Sequence, residues 1–116
     1  MLLWANDISR LRWTRGEALY GLIGEIEAVS GKGEELADIL AGLEAMPGCL
    51  SYMVAQDSDD PDVIWVTEVW RSAEDHKASL EIPEVQEAIA KGRPMIAGFK
   101  TRREMTPVGG IGVEAS

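Results

Sequence analysis

The third predicted strand and the helix after it carry the residue types that could do chemistry. The strand ends in Glu68-Val69-Trp70-Arg71, and the following helix holds His76, the one histidine of the chain. Histidine changes charge near neutral pH, so it can serve as a general base. A nearby carboxylate could orient the imidazole or act as the acid–base group itself. An indole side chain could form one side of a pocket for an aromatic molecule. We therefore take His76, Glu68 and Trp70 as candidate catalytic residues.

A purely structural role for the same side chains is an open alternative. His76 follows Ala73 by three residues and precedes Leu80 by four, which places it on the inward stripe of its helix. A histidine at such a position is commonly satisfied by a carbonyl or a carboxylate. Trp70 and Trp65 fit a core or an interface without any ligand.

Glu68 is a carboxylate in an otherwise apolar strand, where its charge is costly unless it is paired or near water. Arg93, Lys100 and Arg102 are possible partners. The pair could lie within one chain or across a dimer interface. The sequence leaves open whether Glu68 is an ion-pair residue or an acid–base group.

The composition favours a single acidic domain. Asp and Glu number 20 against 11 Lys and Arg, and the net charge is -9. Phosphate binding draws on Lys and Arg, so nucleic acid and anionic membrane surfaces are poor partners. No apolar run approaches the roughly 20 residues of a membrane-spanning helix, and the first residues lack the pattern of a signal peptide. We therefore expect a cytoplasmic protein.

Three motif-like stretches do not support a cofactor or metal site. Residues 57–62 form an acidic turn, but they lack the glycine and the distal glutamate of a calcium loop. The glycines of residues 109–112 do not stand between a strand and a helix, as a dinucleotide fingerprint requires. With one His and one Cys, Cys49, a transition-metal site within one chain is improbable. We expect neither cofactor nor metal.

The hydrophobic periodicity predicts the element order β-α-β-β-α-β, with the second helix broken at Pro83. That order is typical of an α+β, ferredoxin-like split β-α-β fold with one antiparallel sheet. We divide the chain into an N-terminal extension (1–17), one domain (18–107) and a flexible tail (108–116). The predicted strands are residues 19–28, 49–56, 63–71 and 99–106, and the predicted helices cover 34–46, 72–81 and a segment from 83.

Both faces of the third predicted strand are apolar. Trp65 and Val69 share one face, whereas Val66 and Trp70 share the other. Helices can cover only one face of such a sheet, so the other needs a further partner. Dimerisation through the open face is the simplest solution, and we expect a homodimer.

Three segments resemble the antibiotic biosynthesis monooxygenase family. They are PGCLSY after the first helix, TEVWRSAEDHKASL after the hairpin, and PEVQEAIAKGRPMIAGF before the last strand. The likeness covers roughly residues 19–105. It implies a dimeric α+β barrel with one pocket per subunit, between the sheet and the broken helix. Characterised members oxidise quinol or phenolic substrates with molecular oxygen, without flavin, haem or metal.

The resemblance also implies roles for particular residues. The family's third-strand Trp matches Trp70, and many members have a His in the segment after that strand. His76 lies in this segment, one turn before Ser79, which stands where many members have the His. Some members, including the haem-degrading ones, use an Asn in the first strand. Residues 19–28 contain none, and Gly24 or Glu25 stands at about that position.

The functional prediction is a small cofactor-independent monooxygenase that acts on a quinol or phenolic aromatic with molecular oxygen. Around the implied pocket we place four candidate substrate-binding residues, Trp65, Tyr52, Arg93 and Phe99. Two alternatives stay open. One is a non-enzymatic dimeric domain for ligand binding or stress response, and the other is an isomerase or lyase that uses His76 for proton transfer.

Overall fold

The computed structural model describes residues 19–113, which form a four-stranded antiparallel sheet with helices on one face. The predicted α+β, ferredoxin-like order is confirmed, and the strands lie in the order β2-β3-β1-β4. The predicted N-terminal extension and residues 114–116 lie outside the described range. The elements are β1 (Tyr20–Ala28), α1 (Gly33–Ala41), β2 (Cys49–Gln56), β3 (Val63–Trp70), α2 (Ala73–Ser79), α3 (Pro83–Gly92), a 3₁₀ turn (Arg93–Met95) and β4 (Ile96–Met105).

The two central strands, β1 and β3, build the core. Leu22 lies opposite Glu68 and Ile26 opposite Ile64, so the apolar sets of both strands face the helices together. This side of the sheet is the helix face. The central members of the helix face pack against buried residues of α1. The buried apolar residues are Leu19, Leu22, Ala28, Leu36, Ala37, Ile64, Val66, Trp70, Val85 and Ala88.

The N-terminus of helix α1 is stabilised by a residue that lies far along the sequence. The Asp62 carboxylate accepts hydrogen bonds from the backbone N–H groups of Gly33 at 2.9 Å and Gly31 at 3.0 Å. The contact with Gly33 satisfies a donor that the helix N-terminus leaves without an intrahelical partner, and the contact with Gly31 fixes the turn before it. Gly33 also packs so closely on Pro61 that a Cβ there would overlap the Pro61 carbonyl. The turn between β2 and β3 therefore fixes where α1 begins.

Helix α1 ends at Ala41, whereas the apolar stripe predicts a helix through Met46. Gly42 follows, and glycine costs about 1 kcal/mol relative to alanine inside a helix. The last turn tightens, since the Gly42 N–H donates to the Ile39 carbonyl at 3.3 Å. Leu43 and Met46 are still half-buried, in a non-helical segment.

The second helical region is broken as predicted. The Ser72 hydroxyl accepts a hydrogen bond from the Asp75 N–H at 3.1 Å, which confirms the predicted N-cap of α2. Pro83 occupies the first turn of α3, where a missing N–H costs nothing. Strand β4 begins at Ile96, earlier than predicted, because Ile96 already pairs with Ala28 of β1.

The other side of the sheet, the outer face, is apolar and has no helix against it among residues 19–113. Met53 is 57% exposed there. The apolar side chains of the outer face are Ile23, Met53, Ala55, Val63, Trp65, Val69 and Met105. Within the described residues no helix is long and apolar enough to cross a membrane.

Leu36→Ala should lower the free energy of unfolding by about 2–5 kcal/mol, as truncation of a fully buried leucine does. Leu36 is 0% exposed, and a Cβ at Gly92 would lie 3.1 Å from its Cδ1, so it joins α1 to α3. Leu40→Ala should cost less, because Leu40 is only partly buried. Urea unfolding followed by circular dichroism measures both. Equal losses for the two variants would contradict this core.

Candidate functional site

A cavity of about 280 Å³ lies between the helix face of the sheet and the helical side of the molecule. Its walls are mainly apolar, and a small number of polar side chains reach it. This combination is typical of sites for small apolar molecules. The lining residues are Leu22, Gly24, Glu25, Ile26, Leu40, Leu43, Met46, Tyr52, Val66, Glu68, Trp70, His76, Ser79, Leu80, Val85, Ile89, Phe99, Thr101 and Arg102.

The three predicted catalytic residues meet in this cavity. Trp70 Nε1 donates a hydrogen bond to Glu68 Oε1 at 2.9 Å, and His76 Nε2 lies 3.9 Å from the same oxygen. The side chains of Glu68 and His76 are 15% and 18% exposed. A separation of 3.9 Å is too long for a direct hydrogen bond. Glu68 is therefore anchored by the indole, while the imidazole of His76 lines the cavity without a direct hydrogen bond to this oxygen.

Two aromatic rings hold the imidazole of His76. Its centroid lies 5.4 Å from the Trp70 ring, edge to face, and 5.4 Å from the Tyr20 ring. The Tyr20 hydroxyl donates to Glu104 Oε2 at 2.7 Å. Burial raises the pKa of Tyr20, and the nearby Glu104 raises it further. Arg102 lowers the pKa of Tyr20 in part. Contacts on two sides restrict the ring's orientation, as acid–base chemistry requires.

The negative charge of Glu68 influences two neighbouring groups. Burial raises the pKa of the Tyr52 hydroxyl, and Glu68 raises it further. The Tyr52 hydroxyl donates to the Leu40 carbonyl at 3.0 Å, which satisfies an acceptor in the last turn of α1. Burial also raises the pKa of the Cys49 thiol, with a second contribution from Glu68. Both groups are therefore neutral at physiological pH, and neither is an activated nucleophile.

The predicted substrate-binding residues divide into two groups. Tyr52 and Phe99 line the cavity, and Phe99 is 75% exposed at its edge. Trp65 lies on the outer face of the sheet, where its Nε1 donates to Asp57 Oδ1 at 3.1 Å. That bond holds the pKa of Asp57 below its ordinary value. Arg93 lies in the 3₁₀ turn before β4 and does not line the cavity.

Most of the other lining residues were not among the predicted site residues, and three of them bear on the chemistry of the cavity. Gly24 faces the cavity, and a Cβ there would meet no atom within 4 Å. Its position in the period-two pattern of β1 could have indicated from the sequence that it lies on the helix face of the sheet. Ser79 is buried and its hydroxyl donates to the His76 carbonyl at 2.6 Å. Arg102 lines the cavity because the pairing of β4 with β1 is irregular, and no sequence pattern predicts that irregularity.

The acidic turn of residues 57–62 is occupied by internal hydrogen bonds. Asp57 Oδ2 accepts from the Asp59 N–H and Asp60 Oδ1 from the Asp62 N–H, both at 3.0 Å. In the part of the chain that the structure describes, no group of three or more His, Cys, Asp or Glu side chains could hold a metal ion. The turn thus stabilises the β2–β3 hairpin and the start of α1.

The sequence model of the antibiotic biosynthesis monooxygenases matches residues 19–91. The chain belongs to this family. A structure from Chloroflexus aurantiacus J-10-fl, provisionally named an antibiotic biosynthesis monooxygenase, is 57% identical, with a TM-score of 0.79. That match covers 83% of this chain and 99% of the other. No protein with a curated description matches the sequence.

Structures with lower sequence identity share the fold of this chain. One from Caulobacter crescentus CB15, provisionally named for the same family, is 20% identical with a TM-score of 0.65, over 80% of this chain and 91% of that one. One from Pseudomonas aeruginosa is 21% identical with a TM-score of 0.70, over 81% and 98%. At such identities the likeness supports the fold alone.

Gly24→Leu should fill the cavity and weaken binding of an apolar aromatic probe, 2-naphthol, by about tenfold or more. The new side chain meets no protein atom at its Cβ, so the thermal midpoint should change little. Gly98→Leu is the matched control, because a Cβ there is equally free but Gly98 does not line the cavity. Calorimetric titration measures binding. Equal affinities in both variants would place the probe elsewhere.

Proposed function

We propose that this protein is a cofactor-independent monooxygenase that oxidises a quinol or phenolic aromatic with molecular oxygen. The observation that carries the proposal is the meeting of Glu68, His76 and Trp70 in one largely apolar cavity. Membership of the antibiotic biosynthesis monooxygenase family supports the reaction class. The chemistry needs a positioned base and an apolar aromatic enclosure, and His76 and Trp70 in this cavity support those two roles.

His76 is the proposed general base. Its Nε2 lies too far from Glu68 Oε1 for a direct bond, so a substrate hydroxyl can donate to the nitrogen. After proton transfer the imidazolium would face the carboxylate at 3.9 Å, and that charge pair would favour the transfer. Trp70 fixes the same carboxylate oxygen by its N–H. Glu68 thus orients and stabilises the protonated base.

The proposed reaction needs no electron donor besides the substrate. His76 takes the phenolic proton, and the phenolate passes one electron to oxygen. The resulting phenoxyl radical and superoxide combine at a ring carbon that bears hydrogen, forming the C–O bond of a peroxide. Protonation of the distal oxygen, loss of the ring proton and cleavage of the O–O bond give a quinone carbonyl and water. One oxygen atom enters the product and the other leaves as water.

His76→Ala should reduce oxygen uptake with the best quinol by about 10²–10⁴-fold, the usual effect of removing a positioned base. Glu68→Gln keeps the hydrogen bond from Trp70 but removes the charge, so it should reduce turnover less. Lys77→Ala, on the exposed side of the same helix, should leave turnover unchanged. An oxygen electrode measures the rates, and EDTA should leave the wild-type rate unaffected.

Two results would count against this assignment. Full turnover in His76→Ala would move the base to Glu68 or to the substrate itself. An absence of uptake above autoxidation for every quinol tested would favour a ligand-binding domain that uses the same cavity.

We also propose that the protein is a homodimer in which a second copy covers the outer face of the sheet. Trp65 and Val69 of β3 and Met53 of β2 place a contiguous apolar surface there. Exposed apolar patches of this kind mark association sites in soluble proteins. A stable interface buries about 1,200–2,000 Å² in total, which one face of a four-stranded sheet can supply.

Met53→Lys should convert the dimer to a monomer at micromolar concentration, because it puts a charge among the apolar side chains of the outer face. Val29→Lys is the control, since Val29 is exposed beyond the end of β1. Light scattering gives the mass of each variant. A wild-type mass of one chain would overturn the dimer proposal.

A further inference from the structure

Arg102 lines the cavity because β4 contains a bulge. On β1, Gly24 pairs with Arg102 and Ile26 pairs with Phe99, so two steps along β1 match three steps along β4. In a regular strand, residues three apart point to opposite faces. The extra residue turns Arg102 to the same face as Phe99, and both line the cavity. Bulges of this kind redirect side chains beside functional sites.

The guanidinium of Arg102 is the permanent positive charge of the cavity. Among the described lining residues, no other is a lysine or an arginine. The chain as a whole carries a net charge of -9, so a cation at this position departs from its surroundings. Glu25 also lines the cavity, although its register opposite Trp65 places it among the outer-face positions of β1.

Arg102 has two protein partners, the carboxylate of Glu104 and the hydroxyl of Tyr20. Its Nη1 lies 4.0 Å from Glu104 Oε2, and both side chains are more than half exposed. The same oxygen of Glu104 already accepts the Tyr20 hydroxyl at 2.7 Å. Exposed ion pairs of this length contribute little free energy. The guanidinium has five N–H donors, more than these contacts use, so it can still bind a ligand carboxylate through two parallel hydrogen bonds.

We propose that the cavity takes an aromatic acid, with its hydroxyl at His76 and Glu68 and its carboxylate at Arg102. Glu68 lies opposite Leu22, two positions along β1 from Gly24, which lies opposite Arg102. Strand spacing and rise put the two Cα atoms about 12 Å apart. Gly24 leaves the space between them open. A rigid two-ring hydroxy acid can reach from one end to the other.

The aromatic acid would be the substrate of the proposed oxygenase, so its role as a substrate rests on that proposed function. Its binding to the cavity does not. A binding experiment tests it without turnover. Calorimetric titration at pH 7 compares 6-hydroxy-2-naphthoate with 2-naphthol, which has the same rings and hydroxyl but no carboxylate. Wild-type protein should bind the acid about tenfold more tightly than 2-naphthol. Arg102→Gln should remove this preference and leave the affinity for 2-naphthol unchanged.

Two further variants sharpen the test. Arg102→Lys should restore part of the preference, because it keeps the charge but not the fork. Lys100→Gln removes one positive charge from the same strand outside the cavity, and it should keep the full preference. Equal affinity of wild-type protein for the two probes, or a preference that survives in Arg102→Gln, would overturn the inference. Oxygen uptake with a neutral quinol would still test the oxygenase by itself.

Discussion

The structure depends on one constraint, a sheet with two apolar faces and too little helix to cover even one. Helix α1 ends at Ala41, and the second helical region breaks between Ser79 and Pro83. Complete coverage of the helix face would need longer or better aligned helices. The gap that remains is the cavity of about 280 Å³. Site and fold therefore have the same origin, namely short helices over a wide apolar surface.

Within that cavity the carboxylate of Glu68 determines the electrostatics. It stands in a strand of apolar residues, where an ionised group needs partners. The indole N–H of Trp70 supplies one at 2.9 Å, and the imidazole of His76 stands 3.9 Å away. The same charge adds to the effect of burial on Tyr52 and Cys49, raising the pKa of each. A single, largely buried charge thus favours the neutral forms of both groups.

The family and the site contribute different kinds of information. Membership of the antibiotic biosynthesis monooxygenases accounts for the fold and indicates a class of reaction, but a fold by itself does not specify a substrate. Substrate choice depends on the shape and charge of the cavity. Gly24 leaves room at the middle of the sheet, and the bulge of β4 brings Arg102 to the cavity. These two local features separate this chain's site from a uniformly apolar pocket.

The sequence by itself determined the element order and the face of each residue in the regular parts of the strands, because period-two and helical spacing depend only on neighbours along the chain. Glu68, Trp70 and His76 were therefore predicted to lie together. Tertiary structure decided what depends on contacts between distant segments. Asp62 of the hairpin sets the start of α1, and the pairing of β4 with β1 creates the bulge at Arg102. Trp65 turned to the outer face and Arg93 stayed outside the cavity, since residue type alone does not specify which surface a side chain meets.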